Sequence, residues 1–349
     1  MNTKRRKRPV TIVDIAAKLG LSPMTVSRSL NSRQDVNEAT RKRVLECATA
    51  MGYHPNRWAQ SLVKRRSMIV GVVIPDIAHS FFAEITTGVE EVLERSGYDI
   101  LLCHSRAQAA RETSEIGMLS SSRVEGLIVA STQGIYSPGI LHELRQKETP
   151  FVLVDRFFPG YDFASVRTDD HKVGRIATKY LIGLGHRRIA YIGDRGGYQS
   201  DTERLAGYRE ALSQAGIRFA PELAVEGNGL PSGAIEAMSK LLQSGDPPTA
   251  VCCYNDMTAL GAMQAIRARG LKVPKDVSVT GFDDLFFAAY LTPPLTTVRQ
   301  PMRRMGQIAM ENLFKLMSGE ESMAQIKVQA ELIVRESTAR APKREGRHG

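Results

Sequence analysis

The run Ser22-Pro23-Met24-Thr25-Val26-Ser27-Arg28 gathers short hydroxyl groups, one thioether and one guanidinium. If the run is helical, Met24, Thr25, Ser27 and Arg28 lie on or near the exposed face, while Val26 and Leu30 point back into a small core. That mixture can reach base edges in a major groove. Arg28 can donate two bonds to a guanine, and Met24 or the Thr25 methyl can touch a thymine methyl. A second group of residues comes far later and suits a small molecule: the segments Asp155-Arg156, Gly193 to Arg204, Asn255-Asp256 and Asp283-Asp284, with aromatic faces from Phe81 and Phe82. A carboxylate and an arginine can each hold two hydroxyls, so a polyhydroxylated or otherwise hydrogen-bonding ligand would fit.

The elements that must position the first group are legible around it. Thr11 precedes Ile12 and has Asp14 three residues on, so its hydroxyl can cap a helix whose positive end favours the carboxylate. Ile12, Ile15, Ala16 and Leu19 share one face, and Gly20 ends the helix. Ser22-Pro23 then starts a second helix with an N-cap hydroxyl and an N1 proline. A third amphipathic helix runs from Glu38 to Met51, with Val44, Ala48 and Met51 apolar and Arg41, Lys42 and Arg43 near its start, where they can meet phosphates. Gly52 stops it. In Tyr53-His54-Pro55-Asn56-Arg57-Trp58-Ala59-Gln60-Ser61-Leu62, Pro55 can open a brief helix, too short to be stable without a partner or DNA. Charge agrees with this division. Residues 1–66 carry fifteen Lys and Arg against four Asp and Glu, whereas the other 283 residues carry 32 against 33. The basic excess sits where a polyanion would need it.

From Met68 the pattern alternates short Val- and Ile-rich runs with amphipathic helices, the signature of buried parallel strands. One set runs to about Thr168 and a second from Lys172 to Gly281, giving two doubly wound α/β halves in succession. A ligand in such a fold lies beyond the carboxyl ends of the strands, between the halves. The segments there are Asp76 to Phe82, Asp155-Arg156, Gly193 to Arg204, Asn255-Asp256 and Asp283-Asp284. A plainer reading has Asp256 and Asp284 capping helices and Arg204 pairing with a surface carboxylate. Enzyme motifs are missing from the sequence. The first strand leads into DIAHSFF with no glycine-rich turn, and Gly227-Asn228-Gly229 with Gly233 has the wrong last spacing for a dinucleotide fingerprint. No phosphate loop, G-x-S-x-G or H-E-x-x-H occurs, His171 and His186 have no spaced partner ligand, and no cofactor or metal is expected. The four cysteines have no metal-ligand spacing and read as reduced, packed thiols. No apolar run reaches eighteen residues and MNTKRRKRPV is not a secretory leader, so a cytoplasmic, nucleoid-associated protein is expected.

TIVDIAAKLGLSPMTVSRSLN followed by YHPNRWAQSL resembles the headpiece and hinge of the lactose-repressor/galactose-repressor family of bacterial transcription regulators. The resemblance implies an all-α helix-turn-helix head joined to an α/β body like the periplasmic sugar-binding proteins, built of two doubly wound parallel-sheet subdomains. By residue, it implies that Thr11, Ser22, Thr25, Ser27, Asn31, Asn37, Thr40, Tyr53 and Asn56 hold phosphates or orient the head. Pro23, Met24 and Arg28 would read bases, and Leu62 would wedge into the central minor-groove step. Arg57 and Gln60 of the hinge count with the DNA contacts. Pro23 and Met24 lack the hydrogen-bonding groups that several relatives carry there, which leaves more of the discrimination to Arg28. In the body, Arg204, Asn255 and Asp283 match effector-contacting positions, Phe81 and Phe82 match an aromatic wall, and Ser200 matches a variable pocket position. Asp155 joins them as a strand-end carboxylate.

The domains expected are a basic arm 1–10, a head 11–53, a hinge 54–67, a body 68–340 and a tail 341–349. The N-subdomain would be about 68–167 and 299–329, and the C-subdomain about 168–298 and 330–340. Leu295 to Arg299 is expected to return to the first half and Ile326 to Val334 to cross back. The resemblance thus implies a homodimeric repressor of operator DNA, controlled by a sugar, sugar acid or similar metabolite. A periplasmic-type sugar-binding protein would need a signal peptide and has no use for the basic head. An α/β enzyme with a nucleic-acid anchor would need the missing catalytic set.

Overall fold

The computed structural model describes residues 8, 10–31, 35–53, 66–133, 138–194, 198–320 and 325–342. Contacts divide the chain into two units, Met1–Ser67 and Met68–Gly349. In the first, α1 (Ile12–Leu19), α2 (Pro23–Leu30) and α3 (Glu38–Ala50) enclose a core of Ile15, Ala16, Val26, Val44, Cys47 and Ala48. The ends of α1 follow from their residues. Thr11 and Asp14 form a reciprocal capping box, and Gly20 closes the helix at φ 66°, a left-handed conformation in which a side chain would be strained.

The second unit opens with β1 (Ile69–Ile74), α4 (Ser80–Leu93), β2 (Asp99–His104), α5 (Ala109–Ser121), β3 (Gly126–Val129), α6 (Ile140–Gln146), β4 (Phe151–Val154) and β5 (Ser165–Thr168). It continues with α7 (Asp170–Gly183), β6 (Ile189–Gly193), α8 (Gln199–Gln214), β7 (Ala224–Glu226), α9 (Pro231–Gln243), β8 (Ala250–Cys253), α10 (Asp256–Ala268), β9 (Ser278–Asp283) and β10 (Thr296–Arg299). Last come α11 (Met302–Ser318), β11 (Gln325–Val328) and β12 (Glu331–Ile333). Among the described residues these strands form two six-stranded sheets. The first lobe has the order β11-β5-β4-β3-β1-β2, all parallel, and the second β12-β10-β9-β8-β6-β7, with only β12 antiparallel. The central strands are buried along their length, as sheets covered by helices on both faces require.

The expected return of Leu295–Arg299 to the first half is corrected by the sheet. β10 lies parallel to β9, with Thr296 beside Thr280 and Arg299 beside Asp283. The physical reason is polar satisfaction inside the second lobe. Thr296 N donates to Ser337 Oγ at 2.7 Å, and Thr297 Oγ1 donates to Asp256 Oδ1 at 2.6 Å. The chain crosses only after β10, where α11 packs on α4, and β11 then pairs with β5 before β12 rejoins the second sheet.

Within the second lobe, α7 and α8 cross where Gly174 meets the Arg204 carbonyl and Gly207 meets that of His171, and neither place has room for a Cβ. This backbone contact fixes the helix on which Arg204 stands.

Candidate functional site

In the head, the hydroxyl and amide residues around α2 and α3 serve first as caps. Ser22 Oγ accepts from Thr25 N at 3.0 Å and lies 2.9 Å from Thr25 Oγ1; Asn37 Oδ1 accepts from Thr40 N at 2.7 Å. Asn31 Nδ2 donates to Ser27 O at 2.8 Å at the other end of α2. Backbone and hydroxyl donors of Thr11 hold the Asp14 carboxyl below its ordinary range. Pro23 and Met24 are exposed on the first turn of α2, Met24 by 62% of its surface; Thr25 and Ser27 are half-buried beside them. Ser29 is the buried hydroxyl of this helix and donates to Thr25 O at 2.8 Å. Arg28 is exposed but engaged: its Nη1 lies 2.8 Å from Asp35 Oδ2, a partner not expected from the sequence. Tyr53 packs half-buried against the head core, and burial raises its phenol. Asn56, Arg57, Gln60, Leu62 and the expected hinge helix lie outside the described residues.

In the body, a cavity of about 510 Å³ opens between the carboxyl ends of the two sheets. Phe81, Phe82, Asp155, Arg204, Asn255 and Asp283 all line it. Phe81 and Phe82 form an edge-on pair at the start of α4, their centroids 5.1 Å apart, and His79 tilts against Phe82 at 5.6 Å. Burial lowers the His79 pKa, opposed by the carboxylates of Asp76 and Asp155. Asp155 follows β4 at φ 60° and Asp283 ends β9 at φ 118°. Non-glycine residues in such conformations carry a cost of roughly 1–3 kcal/mol and concentrate at binding sites. Gln300 Nε2 donates to Asp283 Oδ1 at 2.8 Å, and burial, with Asp256 nearby, raises the Asp283 carboxyl well above the ordinary range.

Arg204 is buried at the heart of this wall. Its Nε donates to Asp170 Oδ1 at 2.9 Å, its Nη1 to Tyr254 O at 2.6 Å, and its plane lies 3.6 Å over Phe282. Burial opposes its charge, but Asp170, Tyr254, Asp283 and Asp155 together more than offset this and raise the Arg204 pKa. The counterion is thus a buried carboxylate, not one on the surface. Asp170 itself is pushed up to about 6, chiefly by burial. Asn255 Oδ1 caps α10 by accepting from Thr258 N at 2.7 Å, while its Nδ2 donates to Gly229 O at 3.0 Å. Neither Asp256 nor Asp284 is a helix cap. Asp256 accepts from Thr297 Oγ1 and Leu285 N, and Asp284 pairs with Arg299 at 2.7 Å and Arg335 at 2.6 Å.

Ser200 is the one expected body residue that does not line the cavity. It is buried, accepts from Arg156 Nη1 at 2.9 Å and lies 3.1 Å from the Tyr254 hydroxyl. Arg156, which follows β4 in the first lobe, also stacks 3.8 Å over Tyr198 of the second. Arg167 at the end of β5 reaches Glu203 of α8 at 3.1 Å, so two arginines bridge the lobes beside the cavity. His104, Arg106, Leu230, Tyr254 and Gln300 also belong to the lining and escape the reading of the sequence. The same strand-end rule could have found His104, Arg106 and Gln300, since they close or follow β2 and β10.

Residues 11–56 match the family model of bacterial regulatory proteins, lacI family, and residues 178–338 that of a periplasmic binding protein-like domain. The chain is 35% identical over 336 residues to a probable HTH-type transcriptional repressor, ExuR, of Bacillus subtilis (strain 168), covering 95% of this chain and 99% of the relative. It is 32% identical over 343 residues to the HTH-type transcriptional repressor CytR of Escherichia coli (strain K12), covering 98% and 100%. Among solved structures it superposes on a lac repressor dimer bound to operator and the anti-inducer ONPF with a TM-score of 0.86 at 28% identity, covering 95% and 100%. A transcriptional regulator CelR–cellobiose complex gives 0.72 at 31% identity, covering 94% and 99%. With a capped three-helix head, a two-lobed body around a polar cleft and relatives matched over nearly their whole length, the chain belongs to the lacI family of DNA-binding bacterial transcription regulators.

Proposed function

We propose that this regulator is a homodimeric repressor released from, or held on, its operator by a polyhydroxylated metabolite bound between the lobes of its body. The observation that carries this is the cavity, where carboxylates, arginines and aromatic faces converge from the strand ends of both lobes. The lac repressor structure holds operator DNA and the anti-inducer ONPF, and the CelR structure holds cellobiose; both support a small-molecule ligand here. In the head, Arg28 and Met24 read base edges, and the Lys and Arg excess supplies phosphate contacts. Such a protein works in the cytoplasm, at the nucleoid.

The lobes also suggest how a ligand would act. Arg156 and Arg167 tie the first lobe to the start of α8 in the second through Ser200, Tyr198 and Glu203. A ligand that favours one spacing of the lobes shifts their equilibrium by its differential affinity for the two spacings, and operator affinity follows by linkage. A thermal-shift screen of sugars, sugar acids and nucleobases, followed by operator release in the presence of any hit, tests the reading. Asp283→Ala is expected to abolish the ligand response and leave operator binding intact. Undiminished response would remove Asp283 from the site.

A further inference from the structure

We infer that the cleft is built for an acidic ligand, a polyhydroxylated molecule bearing a carboxylate or a phosphate, and that Arg106 selects for the charged group. This rests on the reading of the cleft as the effector site. Among the described residues, the arginines that line the cavity are Arg106, Arg156 and Arg204. Two are committed to the protein. Arg204 is held by Asp170 and the Tyr254 carbonyl, and Arg156 by Ser200 and the Ser131 carbonyl, with the Asp155 carboxylate 3.8 Å away. Arg106 is exposed, and among the described residues no hydrogen bond, ion pair or ring contact engages its side chain.

The turn that carries Arg106 is strained and pinned. Arg106 and Ala107 both stand at φ 53°, a left-handed conformation that bulky residues avoid. Ser105 N donates to Ile74 O at 2.9 Å and Ala107 N to Pro75 O at 3.1 Å, so the turn is sewn to the end of β1. The backbone tolerates strain to hold this arginine in place, as it commonly does at sites that meet a ligand. His104, on the same wall, has its Nδ1 buried without a hydrogen-bond partner.

A cleft that closes on a ligand strips water from its lining. An arginine left unpaired there is penalised, whereas a carboxylate or phosphate can take two of its N–H groups in one plane. Asp76 and Asp194 also line the cavity, so the lining as a whole is not basic and the selection is local. Asp76 turns its Oδ1 onto Ala78 N at 2.9 Å. Burial favours the protonated Asp283 carboxyl and so reduces one source of repulsion on the facing wall.

The test is calorimetric titration of the full-length protein and of Arg106→Gln with a matched set: common hexoses, the corresponding hexuronates and the hexose 6-phosphates. The expected result is that an acidic member binds the wild type more tightly than its neutral parent and loses roughly 10- to 100-fold in affinity to Arg106→Gln, the range of a charge-assisted contact. Whether that member is a uronate or a phosphate identifies the source of the charge. Because the Arg106 side chain makes no hydrogen bond or ion pair among the described residues, the variant should melt with the wild type. Preference for the neutral parents, no acidic binder in the set, or an acidic binder indifferent to Arg106→Gln overturns the inference. Asp283→Ala separates this failure from that of the cleft itself. Binding lost there but kept in Arg106→Gln leaves the cleft as the effector site without charge selection, and binding kept in both removes both readings.

Discussion

Asp35 is a competitor for Arg28, the residue proposed to read a base. Its carboxylate lies 2.8 Å from Arg28 Nη1, with the two side chains 51% and 52% exposed. Exposed pairs of this kind are worth roughly 0.2–1 kcal/mol, which is about 1.4- to 5-fold in an equilibrium constant. A bidentate contact from Arg28 to guanine is worth roughly 1–3 kcal/mol, so at a matching base pair Arg28 should leave Asp35 and the complex should bear the cost of breaking the pair. Asp35→Asn is therefore expected to tighten operator binding by about 1.4- to 5-fold, while Arg28→Ala weakens it by about 5- to 150-fold. The substitution also removes a negative charge, which favours any duplex. A double-mutant cycle separates the two effects, because in an Arg28→Ala background only the general charge gain remains. The assay is fluorescence anisotropy on an operator selected by the full-length protein from random duplexes, at near-physiological salt. If Asp35→Asn gains as much in the Arg28→Ala background as in the wild type, the pair does not hold Arg28 back.

Thr11→Ala removes the hydroxyl half of the capping box at the start of the head, leaving the Thr11 N–H bond to Asp14, and should cost roughly 0.5–2 kcal/mol, read from thermal unfolding; an unchanged melt would show that the hydroxyl's bonds with Asp14 contribute nothing. Operator affinity should fall steeply with salt while ligand affinity changes little, since residues 1–66 hold fifteen basic against four acidic side chains and the rest of the chain is nearly balanced; equal slopes would contradict that division. Asp256, its carboxyl pushed up to about 7 mainly by burial, keeps in the folded body a proton that the unfolded chain has released above about pH 4. Stability should therefore decline as pH rises through that window and level off above it, by an amount on the order of a few kcal/mol. In Asp256→Asn the amide can still serve Leu285 N and Thr297 Oγ1, so the urea midpoint should depend less on pH between about 5 and 8, and an unaltered slope would place the proton elsewhere.

The head was legible because its determinants are local. Thr11 with Asp14, Gly20 and Ser22-Pro23 each act within a turn of where they stand, and each does so in the structure. Asp35 was not legible as a partner, because nothing in a separation of seven residues between two helices dictates that contact. The body divides in the same way. Alternating strands and helices can be read from periodicity, but the sheet that β10 joins is settled by Thr296 and Thr297 finding partners at Ser337 and Asp256, about forty residues off in either direction. In the cleft, the strand-end rule found Asp155 and Asp283, and applied to β2 and β10 it would have found Arg106 and Gln300 as well. Ser200 misled because it sits on α8, where helical phase, not strand termination, decides what it faces; it faces Arg156.

The residues chosen for their capacity to bind a ligand turn out to be heavily used by the protein itself, and this bears on what they can do. An arginine has five N–H groups, and Arg204 gives one from Nε to Asp170 and one from Nη1 to the Tyr254 carbonyl. Asn255 likewise gives one amide hydrogen to Gly229 and one lone pair to Thr258. Each has further hydrogen-bonding capacity on a side chain whose rotamer is already fixed, one of them clamped over Phe282. A ligand meeting such groups loses little additional freedom in ordering them, so each new bond counts more fully toward affinity than one made by a mobile side chain. Arg106 is the opposite case, a side chain uncommitted among the described residues on a backbone that is held. Fixed donors suit hydroxyls, whose directions must be matched, and an uncommitted guanidinium suits an acid group, which can take two of its N–H groups. The lining thus combines two kinds of recognition, and only the second discriminates a metabolite by its acid group.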